Sequence, residues 1–173
     1  MIRIRVLREE YCNHCNISGR SPRSTGVKLL ESVIDREGFK PRLVIDYGCS
    51  TWRNTRYLVG KYGCESIRVD AIIDTKPDVV AYPTHLPFRD GVADVVLFTH
   101  ILMFMNSKDE WAGAINELRR VSRRYIVLEA YHVKNPKALK YDRNELMRLT
   151  EQGGLRMVRK NIERKMENLV LTL

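Results

Sequence analysis

Short apolar runs recur along the chain, separated by segments in which the apolar residues are spaced differently. The runs that predict strands are residues 43–45, 67–73, 79–81, 94–98 and 125–130. Most of them are continuously apolar rather than alternating, which is typical of strands buried on both faces of a parallel sheet.

Apolar residues at helical spacing lie between these runs. Ser24 or Thr25 is expected to cap a helix that ends at Gly38, and residues 54–61 predict a second helix. In a capping box, a cap side chain and a glutamate satisfy each other's free backbone amides. Two such boxes predict the starts of two more helices: Ser107 with Glu110, and Asp142 with Glu145. Gly153 should end the last helix.

The final part of the chain has a different pattern. Residues 155–162 and 168–173 predict two strands whose polar connection, residues 163–167, is short enough to permit only an antiparallel hairpin. Strands that alternate with helices imply a parallel sheet covered on both faces. The predicted fold is therefore α/β, a Rossmann-like, doubly wound, mostly parallel sheet with an antiparallel C-terminal hairpin strand. We expect residues 1–173 to form a single domain, in which an irregular segment at 1–23, a candidate substrate lid, precedes a core at 24–173.

Composition adds an expected location. The chain is 44% hydrophobic and 29% charged, as soluble globular proteins are. No apolar run approaches the roughly 18 residues that a membrane span needs. The four cysteines do not form a secreted disulfide pattern, so we expect a cytoplasmic protein that does not enter the membrane.

The net charge of +9 is concentrated in one third of the chain. From Arg119 to Lys165 there are 14 Lys/Arg and 5 Asp/Glu, and the remainder holds 16 of each and is neutral. A basic region of this size favours an anionic partner, most commonly nucleic acid. An ordinary solvated surface explains the charge equally well.

The loop after the first predicted strand combines an acidic residue with a glycine. Asp46 could accept a hydrogen bond from a cationic amino group or orient the loop, and Gly48 has no Cβ to obstruct a ligand. Here the sequence resembles the class I S-adenosylmethionine-dependent methyltransferases, type 11-like, whose first motif is acidic-x-Gly-x-Gly-x-Gly. Ser50 and Trp52 stand where that motif has its second and third glycines, so the loop is atypical.

A second segment carries the resemblance further. Residues 85–97, His-Leu-Pro-Phe-Arg-Asp-Gly-Val-Ala-Asp-Val-Val-Leu, are similar to the family's passage into its fourth strand. The resemblance implies that Leu86 packs beneath the cofactor. It also implies S-adenosylmethionine as the cofactor and a fold that follows the family order from residue 43 to residue 173.

The resemblance implies further contacts to the cofactor. An acidic residue at the end of the second strand should bind both ribose hydroxyls. Asp70 is preferred, and Asp74 is the alternative if the strand continues through residue 73. Tyr82 stands where relatives often carry an aspartate that contacts the adenine.

Ser50, in the first loop, and Thr99, at the end of the fourth strand, complete the candidate cofactor contacts, and the methyl acceptor is expected near Thr99. His100 is the candidate general base, because a neutral imidazole can take a proton near pH 7. A structural, hydrogen-bonded histidine is the competing interpretation. His132 is a weaker candidate, and displacement aided only by alignment needs no base.

No complete metal site is predicted. Cys12 and Cys15 form only half of a structural zinc site, and Cys49 and Cys64 are expected too far away to complete it.

The favoured function is methyl transfer from S-adenosylmethionine, by direct displacement, to an acceptor that the sequence does not identify. The alternative is a catalytically weak or inactive methyltransferase-like module that binds nucleic acid. A nucleotide-dependent oxidoreductase is disfavoured, because the glycine spacing is wrong for one. The sequence gives no indication of the oligomeric state.

Overall fold

The computed structural model describes residues 21–49, 52–131, 142–163 and 166–173. The strands are β1 (Leu43–Tyr47), β2 (Glu65–Asp70), β3 (Val79–Val80), β4 (Ala93–Thr99), β5 (Ser122–Tyr131), β6 (Arg156–Glu163) and β7 (Met166–Thr172). The α-helices are α1 (Thr25–Glu37), α2 (Arg53–Tyr62), α3 (Lys108–Val121) and α4 (Arg143–Gln152). None of the helices in these ranges is long and apolar enough to cross a membrane.

The strands form one sheet in the order β3-β2-β1-β4-β5-β7-β6. Neighbours from β3 to β5 are parallel, whereas β7 is antiparallel to both β5 and β6. The predicted fold class is thereby confirmed, including the antiparallel C-terminal hairpin. The strand order reverses between β1 and β4, which is where ligands bind in open α/β sheets.

Two apolar layers cover the sheet, as its continuously apolar strands predict. One face packs under α3 and α4, with Trp111, Leu118 and Leu146 fully buried. The other packs under α1 and α2, with Leu30 and Leu58 fully buried.

The predicted helix starts are confirmed, but the capping boxes form only in part. Ser107 accepts the Glu110 amide as expected, yet the Glu110 carboxylate accepts the Asn106 amide, at 2.8 Å, one residue before the cap. Asp142 likewise accepts the Glu145 amide, while the Glu145 carboxylate pairs with Lys108 of α3. In both cases the glutamate carboxylate interacts with a group outside its capping box instead of with the amide of the cap residue.

The second strand is displaced from its predicted position. Residues 67–73 were expected, but β2 spans Glu65–Asp70, and a 3-10 turn, Ile73–Thr75, follows it. This turn is the only helical element between β2 and β3. Asp70 is the last residue of β2, and the alternative of a strand that continues through residue 73 is wrong.

Candidate functional site

The carboxyl ends of β1, β2, β4 and β5 meet at one edge of the sheet, and most of the predicted site residues lie there. Ser50 and His132 fall outside the described residues, as do Cys12, Cys15 and nearly all of the predicted segment 1–23.

The loop after β1 turns at Gly48, whose φ is 75°. The Gly48 amide donates to the Val69 carbonyl at 2.8 Å, which holds the turn against β2. A Cβ at Gly48 would overlap the tip of Ile101. The absence of a Cβ at Gly48 was expected to leave room for a ligand. In the structure, the space where that Cβ would lie is filled by Ile101.

Asp46 is 2% exposed and anchors the first turn of α2. Its carboxylate accepts hydrogen bonds from the Thr55 hydroxyl and the Thr55 amide. Burial raises the pKa of Asp46 to about 6, although the two bonds from Thr55 act in the opposite direction. The N-cap residue of α2, Trp52, makes no side-chain hydrogen bond to the free amides of the helix. Asp46 of β1 accepts one of these amides, that of Thr55, in its place.

Trp52, which replaces the third glycine, retains a glycine-like backbone. Its φ is 58°, in the left-handed region, and its amide donates to the Cys49 carbonyl at 2.7 Å. The indole packs against Arg68 of β2, with the guanidinium carbon 4.1 Å from the ring centroid. Arg68 is fixed in turn by Asp78.

Asp70 and Asp74 occupy different surroundings. Asp70 lies at the end of β2, where its carboxylate accepts the Ile72 amide at 3.1 Å. Asp70 is close to the loop after β1, as its effect on Cys49 in that loop indicates. Burial raises the pKa of Cys49 to about 12, and the charges of Asp46 and then Asp70 act in the same direction. Asp74 is exposed in the 3-10 turn.

Arg120 of α3 holds the segment that contains Leu86. Its guanidinium donates to the carbonyls of Leu86 and Phe88, at 2.9 and 2.6 Å, and to Asp90 at 2.8 Å. Glu117 accepts the Leu86 amide at 2.8 Å and also pairs with Arg120. This role of Arg120 was not predicted from the sequence, in which Arg120 is only one residue of the basic region.

Tyr82 is joined to the start of α3. Its hydroxyl donates to Glu110 at 2.8 Å and accepts from Asn106. Burial, followed by the bond to Glu110, raises the pKa of Tyr82 to about 12, so the phenol stays neutral.

His100 follows β4 directly, after Thr99, and has a φ of 61°. Its amide donates to the Glu129 carbonyl at 2.8 Å, and its Nε2 lies 3.7 Å from the Glu129 carboxylate. Glu129, on β5, is 1% exposed and was missed by sequence analysis. The available signal was a single charged residue within the apolar run Tyr-Ile-Val-Leu-Glu-Ala.

The chain is similar to methyltransferases in part of its sequence and in its fold. A family profile described as a methyltransferase domain matches residues 45–125. No curated protein matches the sequence significantly.

Many solved structures share the fold. An S-adenosylmethionine-dependent methyltransferase from Aquifex aeolicus is 15% identical with a TM-score of 0.69, over 94% of this chain and 97% of that one. A 1,6-didemethyltoxoflavin-N1-methyltransferase from Burkholderia thailandensis, solved with S-adenosylhomocysteine, is 13% identical with a TM-score of 0.73, over 99% and 86% of the two chains.

The predicted resemblance to methyltransferases is confirmed by these matches, and the predicted cofactor, S-adenosylmethionine, agrees with the descriptions of the two solved proteins. Over residues 45–125 the chain is thus similar to a methyltransferase domain, and it shares its fold with solved S-adenosylmethionine-dependent methyltransferases.

Proposed function

We propose that this protein binds S-adenosylmethionine at the carboxyl ends of β1, β2 and β4 and transfers its methyl group to a nucleophilic acceptor. The observation that carries the proposal is the position of Asp70. Its carboxylate ends β2 directly beside the glycine turn that ends β1. The donor set fits the cofactor, because one carboxylate can accept both hydroxyls of a ribose.

The other predicted residues would act around this contact. Asp46 is bonded to Thr55, so it would organise the loop and α2 rather than bind the ammonium group directly. Leu86, held by Arg120, and the ring of Tyr82 would form the adenine side of the site. Thr99 and His100 would face the methyl group.

When bound, S-adenosylmethionine supplies an electrophilic methyl group on a sulfonium. The chain's task is then to align the acceptor and to receive its proton, for which His100 is the candidate. The identity of the acceptor stays open, because relatives this distant share only the fold.

The test compares Asp70→Asn with Asp74→Asn in calorimetric titrations with S-adenosylhomocysteine. Loss of a charged hydrogen-bond acceptor costs about 1.5–3 kcal/mol, so Asp70→Asn should weaken binding by about tenfold or more. Asp74→Asn should bind like the wild type, because Asp74 is exposed in the turn. If the wild type fails to bind at high micromolar ligand, the proposal is wrong. Equal effects of the two substitutions would remove Asp70 from the site.

The structure gives the alternative, a nucleic-acid-binding module, less support than the sequence did. Four arginines of the basic region are engaged within the protein: Arg120, Arg123, Arg124 and Arg143. Nucleic acid therefore remains only a possible acceptor or partner. The cytoplasmic location and the single-domain boundaries stay predictions.

A further inference from the structure

The buried carboxylate of Glu129 lies next to the candidate base. Glu129 pairs in register with Thr99, the last residue of β4, so its side chain is on the same face of the sheet as that of Thr99. One carboxylate oxygen, Oε1, accepts the Gly26 amide at the start of α1, at 2.5 Å. An anion at this place is stabilised by the helix N-terminus.

The sequence allows this close approach through a glycine. A Cβ at Gly26 would lie 2.6 Å from Val127 and 2.9 Å from Glu129. The start of α1 therefore packs directly on β5 and fixes one side of the carboxylate.

The second oxygen, Oε2, has a different environment. It is buried and accepts no hydrogen bond from any described residue. The cross-strand neighbour of Glu129, Asn168, donates its amide to Asn161 instead. His100 Nε2 lies 3.7 Å from Oε2. A buried carboxylate oxygen without a donor is costly, so a protonated neighbour is strongly favoured.

The backbone of His100 is also held in an unusual conformation. Its left-handed φ of 61° is uncommon for a residue with a side chain, and such conformations are concentrated at functional sites. The bond from its amide to the Glu129 carbonyl retains it there. Glu129 thus contacts both the backbone and the ring of His100.

We propose that Glu129 is a positioning residue, which orients the His100 ring with Nε2–H toward its carboxylate and stabilises the imidazolium form. Nδ1 is then the ring nitrogen that receives the acceptor's proton, and because it is buried in this structure, the bound acceptor has to displace the groups that cover it. In the balanced step, the acceptor atom bonds to the methyl carbon as the sulfur–methyl bond breaks, and its proton passes to Nδ1. The inference rests on the proposed function, since it requires His100 at the site of transfer.

The other groups around the pair are few among the described residues. Asp46 of β1 interacts electrostatically with Glu129, and the ring of Tyr131 on β5 meets His100 edge-on with centroids 6.5 Å apart. The first turn of α1 contributes the Gly26 amide and no acidic side chain. Among the groups named here, Glu129 is the anion that lies within 4 Å of the His100 ring.

The experiment follows the four histidine rings by NMR in the full chain labelled with 15N, and His100→Gln assigns the His100 signals. The titration midpoint of His100 should fall by about one pH unit in Glu129→Gln, because an opposite charge within about 4–6 Å favours the charged form. The carboxamide can still accept the Gly26 amide, and Glu129→Asp should give an intermediate midpoint. His85, which is exposed, is the internal control, and its signals should be the same in all variants.

Two results would overturn the inference. The first is an unchanged His100 midpoint in folded Glu129→Gln. The second needs no variant: above its midpoint, the wild-type His100 ring should carry its proton on Nε2, and a proton on Nδ1 contradicts the proposed orientation. Parallel titrations with S-adenosylhomocysteine separate this inference from the proposed function, because cofactor binding does not depend on the His100 tautomer.

Discussion

Trp52 illustrates how a residue can depart from a motif and keep its geometry. The family's third glycine stands at a position where this chain has a φ of 58°, a conformation that glycine adopts without strain. Trp52 adopts it at a cost of roughly 1–2 kcal/mol, which its stacking on Arg68 offsets in part. The sequence could indicate that the position was unusual, but not that the indole would turn toward β2.

Asp46 should give the protein a distinct dependence of stability on pH. Its pKa of about 6 in the folded state exceeds the ordinary value of 3.8, so the folded protein binds the proton more tightly than the unfolded chain does. This contribution to stability therefore grows as the pH falls through 6. Between pH 7 and pH 5, the wild type should gain about 1 kcal/mol relative to Asp46→Asn. Urea denaturation at several pH values measures this difference.

Asp74→Asn provides the comparison for that experiment, because Asp74 is exposed. Its stability should run parallel to that of the wild type over the same pH range. If Asp46→Asn also runs parallel, Asp46 does not titrate in this window.

Among the elements, α3 does more than cover the sheet, since Arg120 ties it to the Leu86 segment. Arg120→Ala should lower the free energy of unfolding by about 2 kcal/mol, because two partly buried carbonyls lose a charged donor. It should also weaken S-adenosylhomocysteine binding. Arg120→Lys should recover little of either, since a lysine cannot reproduce the forked geometry.

Arg119→Ala is the matched control on the same helix. Arg119 is exposed, so the change should stay within about 0.5 kcal/mol of the wild type in chemical denaturation. Equal effects at positions 119 and 120 would show that the Arg120 bonds contribute nothing specific.

The elements differ in how far the sequence predicts them. Helix ends such as Ser24 and Gly38 are local events, in which one side chain or one glycine conformation decides the boundary, and both were predicted. The end of β2 depends on pairing with β3, which is only two residues long, and was misplaced. The residues of the candidate site show the same difference between local and long-range features. Asp70 could be placed at the end of β2 from the sequence, whereas Glu129 and Arg120 act through contacts between distant segments. For Glu129 the only local signal was one charged residue within an apolar run.

At the scale of the whole molecule, some residues of the basic region are paired within the fold and others are exposed. Arg123 pairs with Asp94, and Arg124 pairs with Glu37 while packing on Phe39, so both arginines stabilise the fold. By contrast, three basic residues on β6 are exposed and form no ion pair with a described residue: Arg156, Arg159 and Lys160. Because β6 is an edge strand, their charge also opposes pairing with another chain.

These residues allow a direct test of nucleic-acid binding. If the basic region binds RNA, replacing Arg159 and Lys160 together by alanine should weaken binding of a labelled single strand. The slope of log affinity against log salt should fall by about 1.4, at roughly 0.7 per lost phosphate contact. Fluorescence anisotropy at several salt concentrations measures both quantities.

Replacing Arg123 and Arg124 by alanine provides the contrast, because it should reduce stability through lost ion pairs. Failure of the wild type to bind RNA at low salt would remove nucleic acid as a partner. The charge on β6 would then serve to protect the edge of the sheet.

The place of β7 has a consequence for how the protein is made. This strand is the last of the seven along the chain, yet it lies inside the sheet, between β5 and β6. While the ribosome is still translating residues 166–172, β5 has an open edge and β6 has no neighbour to pair with. The nascent chain therefore exposes one edge of the apolar strand β5 until synthesis passes β7, and this interval is when a chaperone would have the most to bind.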